Sequence, residues 1–384
     1  MAIDKTITGA EAVITALVEN GVEVIFGYPG GAVLPLYDAI FDNKKIKHIL
    51  VRHEQAAVHA AEGYARSTGK VGCVLVTSGP GATNAITGLT DALMDSIPVI
   101  CLSGQVPTHL IGTDAFQEAD TTGISRPCTK HNYLVKNADN LCDIIHESFD
   151  IASTGRPGPV LIDLPKDIQL TKIKYNKKIN RIKNKSSNNN PKIDMKIITK
   201  VVDLLVNAQK PIIYAGGGVI NAGPKTSTLL TELVDLLNSP VTLTLMGLGS
   251  VSNDNKNFLG MLGMHGTYEA NLAMHNCDVM LNVGARFDDR VTGRLNAFAP
   301  NSKKIHIDID KSSINKVVSV DFGIVGDCKE VLTILVQEIK KLHNQKNLKS
   351  KTDWWAQIKE WKKKDSLGFK QIGKNIKPQQ AIKS

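Results

Sequence analysis

The chain has 384 residues, 42% of them hydrophobic, which is enough to bury a large core in two or three domains. No window approaches the roughly 20 apolar residues of a membrane span, and residues 1–10 lack the apolar core of a signal peptide, so we expect a soluble cytoplasmic protein. The net charge of +9 is concentrated in two polar segments, residues 171–200 and 341–384, which favours solvated connectors over a nucleic-acid-binding groove.

Residues 8–170 alternate between helical and strand periodicity. Thr8 and Glu11 predict a capping box for a helix that ends near Gly21. Residues 54–66 are typical of a helix, and the predicted strands are 22–26, 48–51, 71–76, 98–102 and 160–164. The apolar runs at 71–76 and 98–102 are nearly unbroken, which indicates fully buried strands. This order predicts a doubly wound parallel sheet in a first domain, residues 1–170.

A Lys/Asn-rich segment, residues 171–191, has almost no apolar content and is interpreted as a basic linker. A second parallel α/β domain is expected over 192–340, with strands at 211–215, 241–245, 278–283 and 304–309. Residues 341–384 are again polar and basic, and we expect a linker and the start of a third domain there. Three tryptophans in this segment share a helical spacing, so we expect a further part of the protein to cover them: Trp354, Trp355 and Trp361.

Polar residues and glycine turns follow the predicted strands of the first domain. Glu54 lies where a strand gives way to a helix, the edge at which α/β sheets present functional groups. Its alternative role is to complement the helix dipole. Glycine turns at 27–31 and 78–84 would let backbone amides approach a ligand, although ordinary turn chemistry explains either turn by itself.

The second domain repeats this arrangement. Gly216-Gly217-Gly218 and Gly284 follow strands, and Asp308 and Asp310 come about 24 residues after Gly284. A glycine turn followed by an acid at such a distance is how a dinucleotide fold holds phosphate and ribose, so the pattern indicates a bound cofactor. Arg286 and Arg290 follow Gly284, and their alternative role would be in structural ion pairs. No G-x-G-x-x-G follows a strand, which disfavours an NAD-type dehydrogenase. The six cysteines form no C-x-x-C pair, and we assign no metal ligand in this chain.

Several segments together resemble a known family. Residues 52–57 and 77–84 are similar to the pyrimidine-binding domain of thiamine-diphosphate enzymes. Residues 115–118, 246–249, 263–267 and 286–293 narrow the resemblance to the FAD-containing acetohydroxyacid (acetolactate) synthase large subunits. The resemblance runs along essentially the whole chain. It implies a pyrimidine-binding domain and a central FAD-binding domain, with the Gly-Asp-Gly segment that holds Mg²⁺ and the cofactor diphosphate in a further domain beyond Ser384.

The resemblance also implies an activity and its catalytic residues. Such enzymes decarboxylate pyruvate on thiamine diphosphate and transfer the hydroxyethyl group to a second pyruvate or 2-ketobutyrate, in branched-chain amino-acid biosynthesis. Glu54 would hydrogen-bond the pyrimidine nitrogen N1′ and drive the tautomer change that activates the cofactor. Arg290 would recognise the second keto acid. The implied active-site neighbours are Gly31, Phe116, Gln117 and Lys166.

By the same resemblance, FAD is bound without a net redox step. The implied FAD-binding residues are Arg156, Gly217, Gly218, Thr244, Leu245, Met264, His265, Gly266, Thr267, Gly284, Ala285, Arg286, Asp288, Arg290, Asp308, Asp310 and Asp327. The expected partners are a second catalytic subunit in a homodimer and a small regulatory subunit, with neither nucleic acid nor membrane. We expect residues 1–384 alone to bind FAD weakly and to be inactive.

Three other functions compete with this interpretation. Sister carboligases and pyruvate oxidase share the first domain, but residues 286–293 and the keto-acid arginine disfavour them. The same segment disfavours FAD-free catabolic acetolactate synthases. A non-catalytic FAD-binding or regulatory fragment is the alternative from a different class, and the metal and diphosphate affinity of the chain would distinguish it from an enzyme.

Overall fold

The structure is a computed structural model, and it describes residues 5–175, 192–343 and 350–384. The chain divides into two compact units, Met1–Asn189 and Asn190–Ser384. Across the described residues, no helix is both long enough and apolar enough to cross a membrane.

The first unit has eight described strands: β1 Lys5–Thr8, β2 Val24–Gly27, β3 Lys47–Leu50, β4 Gly72–Val76, β5 Val99–Gln105, β6 His131–Leu134, β7 Val160–Pro165 and β8 Lys172–Tyr175. Six of them form a parallel sheet with the strand order β3-β2-β4-β5-β7-β6. Its helices are α1 Gly9–Glu19, α2 Leu34–Asp42, α3 Glu54–Thr68, α4 Pro80–Asp95, α5 Thr121–Ser125, α6 Leu141–Ser153 and α7 Lys166–Leu170. Every residue of β4 and β5 is buried, as the apolar runs predicted.

Helices cover both faces of this sheet. Within β4, Cys73 and Leu75 pack into the apolar cluster that holds α1, α2 and α6. Val74 and Val76 point to the opposite face and pack with α3 and α4. Because successive strand residues point to opposite faces, a run buried throughout needs a cover on each side. The predicted doubly wound domain is confirmed.

The start of α1 follows the predicted capping chemistry. The backbone N–H of Glu11 donates to Thr8 Oγ1 at 3.2 Å, and the backbone N–H of Thr8 donates to Glu11 Oε2 at 2.7 Å. The helix ends at Glu19, and Gly21 takes a φ of +79°. Glycine adopts that backbone conformation at little cost, so the helix stops where the sequence predicted.

The prediction that residues 171–191 form only a linker is wrong at its start. Strand β8 pairs antiparallel with β1, with Lys5 opposite Tyr175 and Thr8 opposite Lys172. Ile173 is buried against the core, whereas Lys172 and Lys174 face solvent. The alternation of period two is a strand signal that the lysine content concealed. Residues 176–191 of the predicted linker lie outside the described residues.

The second unit contains another six-stranded parallel sheet, with the order β11-β10-β9-β12-β13-β14. Its strands are β9 Pro211–Ala215, β10 Val241–Leu243, β11 Phe258–Met261, β12 Val279–Val283, β13 Lys303–Asp308 and β14 Phe322–Val325. Its helices are α8 Met195–Asn207, α9 Gly217–Asn221, α10 Pro224–Leu237, α11 Tyr268–Asn276, α12 Asp289–Thr292, α13 Cys328–His343, α14 Thr352–Lys362 and α15 Pro378–Lys383. This architecture confirms the second predicted doubly wound domain.

This unit itself covers Trp354, so the expectation of an external cover is wrong for that residue, whereas Trp355 and Trp361 are half-buried. Trp354, on α14, is 1% exposed and packs in the apolar cluster that includes Ile212 and Tyr214. Its indole Nε1 donates to the carbonyl oxygen of Pro211 at 3.0 Å. The ring of Trp361 meets that of Trp354 edge to face at 5.7 Å. Helix α14 therefore shields the sheet face that α11 also covers.

Candidate active site

Glu54 lies at the start of α3, just past the carboxyl end of β3. Its side chain is 8% exposed, and Asn84 Nδ2, from α4, donates to Glu54 Oε2 at 3.0 Å. The preceding His53 caps the helix by accepting the N–H of Gln55. Two helices therefore fix a largely buried carboxylate at the edge where parallel sheets present functional groups.

The two glycine turns of the first unit converge next to this carboxylate. A Cβ on Gly30 would lie 2.5 Å from Cβ of Thr77, so only glycine permits that approach. The N–H of Ala32 donates to Thr77 Oγ1 at 3.4 Å. A Cβ on Gly81 would lie 2.7 Å from Thr77 Cγ2 and 3.4 Å from Glu54 Oε1. Glycine at position 81 therefore keeps the space beside Oε1 open, as a planar ring bound at Glu54 would require.

The loop that carries Gln117 packs against the same turn. Gly79 has a φ of +54°, and a Cβ there would lie 2.5 Å from the backbone oxygen of Gln117. Gln117 itself has a φ of +57°, a conformation that non-glycine residues rarely adopt. The N–H of Ala115 donates to a Glu118 carboxylate oxygen at 3.0 Å, which closes the loop. Phe116 is 88% exposed at its tip.

A buried polar pair that the sequence analysis missed anchors the far end of this loop. Gln105, at the end of β5, donates through Nε2 to the backbone oxygen of Ala119 and to Asp163 Oδ2, both at 2.9 Å. Burial raises the pKa of the Asp163 carboxyl to about 7. The acid lies within the apolar segment of β7, which by itself predicted only a buried strand.

The other residues implied for catalysis lie at the same edge of the sheet. Gly31 is exposed, and a Cβ there would meet nothing within 4 Å. Lys166 is the first residue of α7, directly after β7. The described contacts join Glu54 to the two glycine turns and, through Gly79, to Gln117; they do not bring Lys166 into contact with Glu54.

In the second unit, the segments assigned to FAD lie at the carboxyl ends of all six strands of the sheet. Gly217 and Gly218 follow β9, Thr244 and Leu245 follow β10, Met264 to Thr267 follow β11, Gly284 to Asp288 follow β12, and Asp308 ends β13. Asp310 comes two residues later, and Asp327 lies between β14 and α13. Neighbouring strands of a parallel sheet end at one edge, so these segments gather there.

Two glycine turns cross at the centre of this edge. The N–H of Gly218 donates to the backbone oxygen of Gly284 at 3.0 Å. A Cβ on Gly216 would lie 2.5 Å from that oxygen, and a Cβ on Gly218 would lie 2.8 Å from Cα of Gly284. Glycine is therefore required because the two turns lie in contact with each other. The same glycines would also let a ligand approach the backbone.

The Arg290 segment is fixed through its backbone. The N–H of Met264 donates to the backbone oxygen of Arg290 at 2.8 Å, and a Cβ on Gly263 would lie 2.6 Å from the same oxygen. The Arg290 guanidinium is mostly exposed, and its Nε lies 3.9 Å from Asp289 Oδ2. Arg286 donates to Asp288 Oδ2 at 2.6 Å. Arg290 is thus available to an anionic ligand.

Arg156, also assigned to FAD, belongs to the first unit. Its Nε donates to Ser96 Oγ at 2.8 Å, and its Nη2 donates to the backbone oxygen of Met94 at 3.3 Å. These bonds tie Arg156 to the carboxyl end of α4.

Comparison with known proteins defines the family. Residues 7–124 match the family described as "Thiamine pyrophosphate enzyme, N-terminal TPP binding domain", and residues 198–335 match "Thiamine pyrophosphate enzyme, central domain". The chain is 52% identical to the acetolactate synthase large subunit of Haemophilus influenzae and 49% identical to the isozyme 3 large subunit of Escherichia coli. Each alignment covers 99% of this chain and 66% of the relative.

The chain belongs to the acetolactate synthase large-subunit family. Its identity to the mitochondrial catalytic subunit of Saccharomyces cerevisiae is 44%, over 98% of this chain and 56% of that protein. The chain spans about two thirds of the length of the bacterial relatives that it matches. The resemblance found in the motifs is thereby confirmed, and the first unit contains the thiamine pyrophosphate binding domain of the family.

Proposed function

We propose that this chain forms the pyrimidine-binding and central portions of an acetolactate synthase. The substrates of the proposed enzyme are pyruvate and a second 2-keto acid, either pyruvate or 2-ketobutyrate. The observation that carries the proposal is the Glu54 carboxylate, which Asn84 holds beside a space that Gly81 keeps open. Membership of the acetolactate synthase family supports this choice of reaction.

Glu54 would act as a proton-sharing group. Thiamine diphosphate, when bound, supplies the nucleophilic carbon that attacks the keto acid. Glu54 Oε1 would hydrogen-bond the pyrimidine N1′ and exchange a proton with it, while Asn84 continues to donate to Oε2. A glutamine at position 54 would preserve a hydrogen bond but could not take part in the proton exchange, so the carboxylate is essential to the proposed mechanism.

Arg290 would select the second substrate. Its guanidinium is exposed on a segment whose backbone is fixed by Met264 and Gly263. A planar guanidinium binds a carboxylate through two parallel hydrogen bonds, which suits a 2-keto acid. In the first unit, Phe116 and Gln117 would border the Glu54 site from their loop, with Gly31 and Lys166 at the carboxyl edge of that unit's sheet.

FAD would bind at the carboxyl edge of the second sheet. The strand-end glycines and the acids Asp308, Asp310 and Asp327 support this assignment, because such an edge accommodates phosphate and ribose groups. Mg²⁺ enters the proposal through the resemblance alone, and we assign it no ligand in this chain. A homodimer and a small regulatory subunit are also proposed, in keeping with the name "large subunit" of the relatives.

A joined protein tests this function. The chain would be fused to the part of the E. coli isozyme 3 large subunit that it does not match, then supplied with thiamine diphosphate, Mg²⁺, FAD and pyruvate. We expect acetolactate and CO₂ as products and one FAD retained per chain. Oxidation of pyruvate to acetate or acetyl phosphate would instead identify a pyruvate oxidase. Retained FAD without turnover would favour a non-catalytic role for this chain.

A further inference from the structure

The helices α3 and α4 cross closely about one turn beyond Glu54. A Cβ on Gly88 would lie 2.5 Å from Cβ of Val58, so glycine is needed for the helices to approach. The crossing places Asp91, on α4, beside His59 and Glu62, which lie three residues apart on one face of α3. Three potential ligands therefore meet at a single point.

The three side chains are spaced as ligands of one ion. His59 Nδ1 lies 3.4 Å from Glu62 Oε2 and 3.6 Å from Asp91 Oδ2, and one ligand atom from each residue lies within 4.8 Å of the others. Metal–ligand distances of about 2.0–2.2 Å in a tetrahedron place neighbouring ligands roughly 3.3–3.6 Å apart. Asp91 is half exposed and can rotate to complete the set.

Glu62 provides an independent indication of a ligand. It is 4% exposed, and its Oε1 is buried with no hydrogen-bond partner among the described residues. A buried carboxylate oxygen without a partner is costly, and a bound cation would satisfy it.

One turn further along, an arginine–aspartate ion pair joins the same two helices. There Arg66 Nη2 lies 2.6 Å from Asp95 Oδ2, so a fixed cation compensates the acid. At Glu62 and Asp91 the basic side chain in contact is that of His59. The site therefore brings two carboxyl groups together with no Lys or Arg in contact with them among the described residues.

We propose that His59, Glu62 and Asp91 bind one divalent transition-metal ion such as Zn²⁺. One imidazole and two carboxylates favour Zn²⁺, Co²⁺ or Mn²⁺ over Mg²⁺, which prefers oxygen ligands. Water would complete the coordination on the exposed side of His59 and Asp91. His59 Nε2 lies 3.3 Å from the side-chain amide of Gln55. With the amide turned, its oxygen accepts from Nε2–H and leaves Nδ1 free for the ion.

Metal titration of residues 1–384 tests the site. The chain would be stripped with a chelator and titrated with Zn²⁺ by calorimetry and with Co²⁺ by visible absorption. We expect one ion per chain, with the d–d bands of nitrogen and oxygen ligation and no thiolate charge-transfer band. His59→Ala and the exposed-site variant Asp91→Asn should each weaken binding at least tenfold. His275→Ala, an exposed helical histidine of the second unit, is the matched control and should bind as the parent does.

Three outcomes would overturn the proposal. The first is no stoichiometric Zn²⁺ binding by the parent chain. The second is binding that His59→Ala and Asp91→Asn leave unchanged while circular dichroism shows both variants folded. The third is a thiolate band, which would assign the ion to cysteine. Because no thiamine diphosphate or keto acid is present, the result does not depend on the proposed function.

Discussion

Several side chains assigned to FAD also have a local structural role. Thr244 accepts the N–H of Gly247, Thr267 accepts that of Ala270, and Asp327 accepts that of Lys329. Asp288 and Asp310 likewise cap the short helical turns that follow them. Capping explains why Thr and Asp occur at these strand ends.

Substitution can test the role of Arg290 separately from the roles of neighbouring residues. In the joined protein, Arg290→Ala should raise the KM for pyruvate, since a charge-assisted bidentate pair contributes about 1.5–3 kcal/mol, or roughly 10- to 150-fold. The amount of retained FAD should change much less than this KM. Arg294→Ala, an exposed arginine four residues away, is the control and should behave as the parent. Equal KM values for parent and Arg290→Ala would move substrate recognition to another residue.

Asp163 should make stability depend on pH in a defined direction. Burial, followed by a smaller repulsion from Asp120, raises its pKa from 3.8 to about 7 in the folded chain. As pH rises between those values the unfolded state loses the proton first, so the free energy of unfolding decreases and then levels off. Asp163→Asn removes this dependence.

Urea unfolding at several pH values between about 4 and 8 would measure the effect of Asp163. The free energy of unfolding of the parent, measured relative to that of Asp163→Asn, should decrease as pH rises. Asp143→Asn, at an exposed acid on α6, should show no such trend. A difference that stays constant with pH would show that Asp163 is ionised when folded.

At the scale of elements, the central strands were predicted and three edge strands were not. Strands β4, β5, β7, β9 and β12 have apolar runs, because both of their faces are covered. Strands β6, β11 and β14 lie at sheet edges and are only four residues long with mixed burial. Edge strands are half exposed, so their sequences carry no unbroken apolar signal.

For helix α14, the sequence predicted the apolar face but not the surface that this face packs against. Its tryptophan spacing correctly indicated one apolar helix face, but the sequence could not show which surface receives it. Trp354 packs against β9 through a contact 143 residues away along the chain, and such distant pairings leave no local pattern. The Gln105–Asp163 pair escaped prediction for the same reason, since its members lie 58 residues apart.

The role of α14 leads to a stability prediction. Trp354→Ala removes a side chain that is fully packed and bonded to Pro211, so it should reduce the free energy of unfolding by about 3–5 kcal/mol. Lys359→Ala, on the exposed face of the same helix, should change stability by less than about 0.5 kcal/mol. Both would be measured by urea unfolding of residues 1–384. A Trp354→Ala chain as stable as the parent would show that α14 does not contribute to the core.

For the whole molecule, the two parallel sheets gather the proposed functional residues at their carboxyl edges. The first sheet carries Glu54 with the Gln117 loop, and the second carries the glycine crossing and Arg290. The motifs could be found from the sequence because each follows an apolar strand. Their mutual contacts, such as Asn84 with Glu54, required the fold. Apart from Lys172–Tyr175, which form β8, the domain boundaries proposed from composition stay a prediction, as do the roles of the individual site residues.

The most direct test of the proposed function is the effect of Glu54→Gln on acetolactate formation. In the joined protein this substitution keeps the size of the side chain and a hydrogen bond but removes proton exchange. Acetolactate formation should therefore decrease by roughly 10²- to 10⁴-fold, while bound FAD is unchanged. Glu147→Gln, at an exposed glutamate of α6, should retain the activity of the parent. A Glu54→Gln protein with activity within a few-fold of the parent would contradict the assignment of Glu54 and the function built on it.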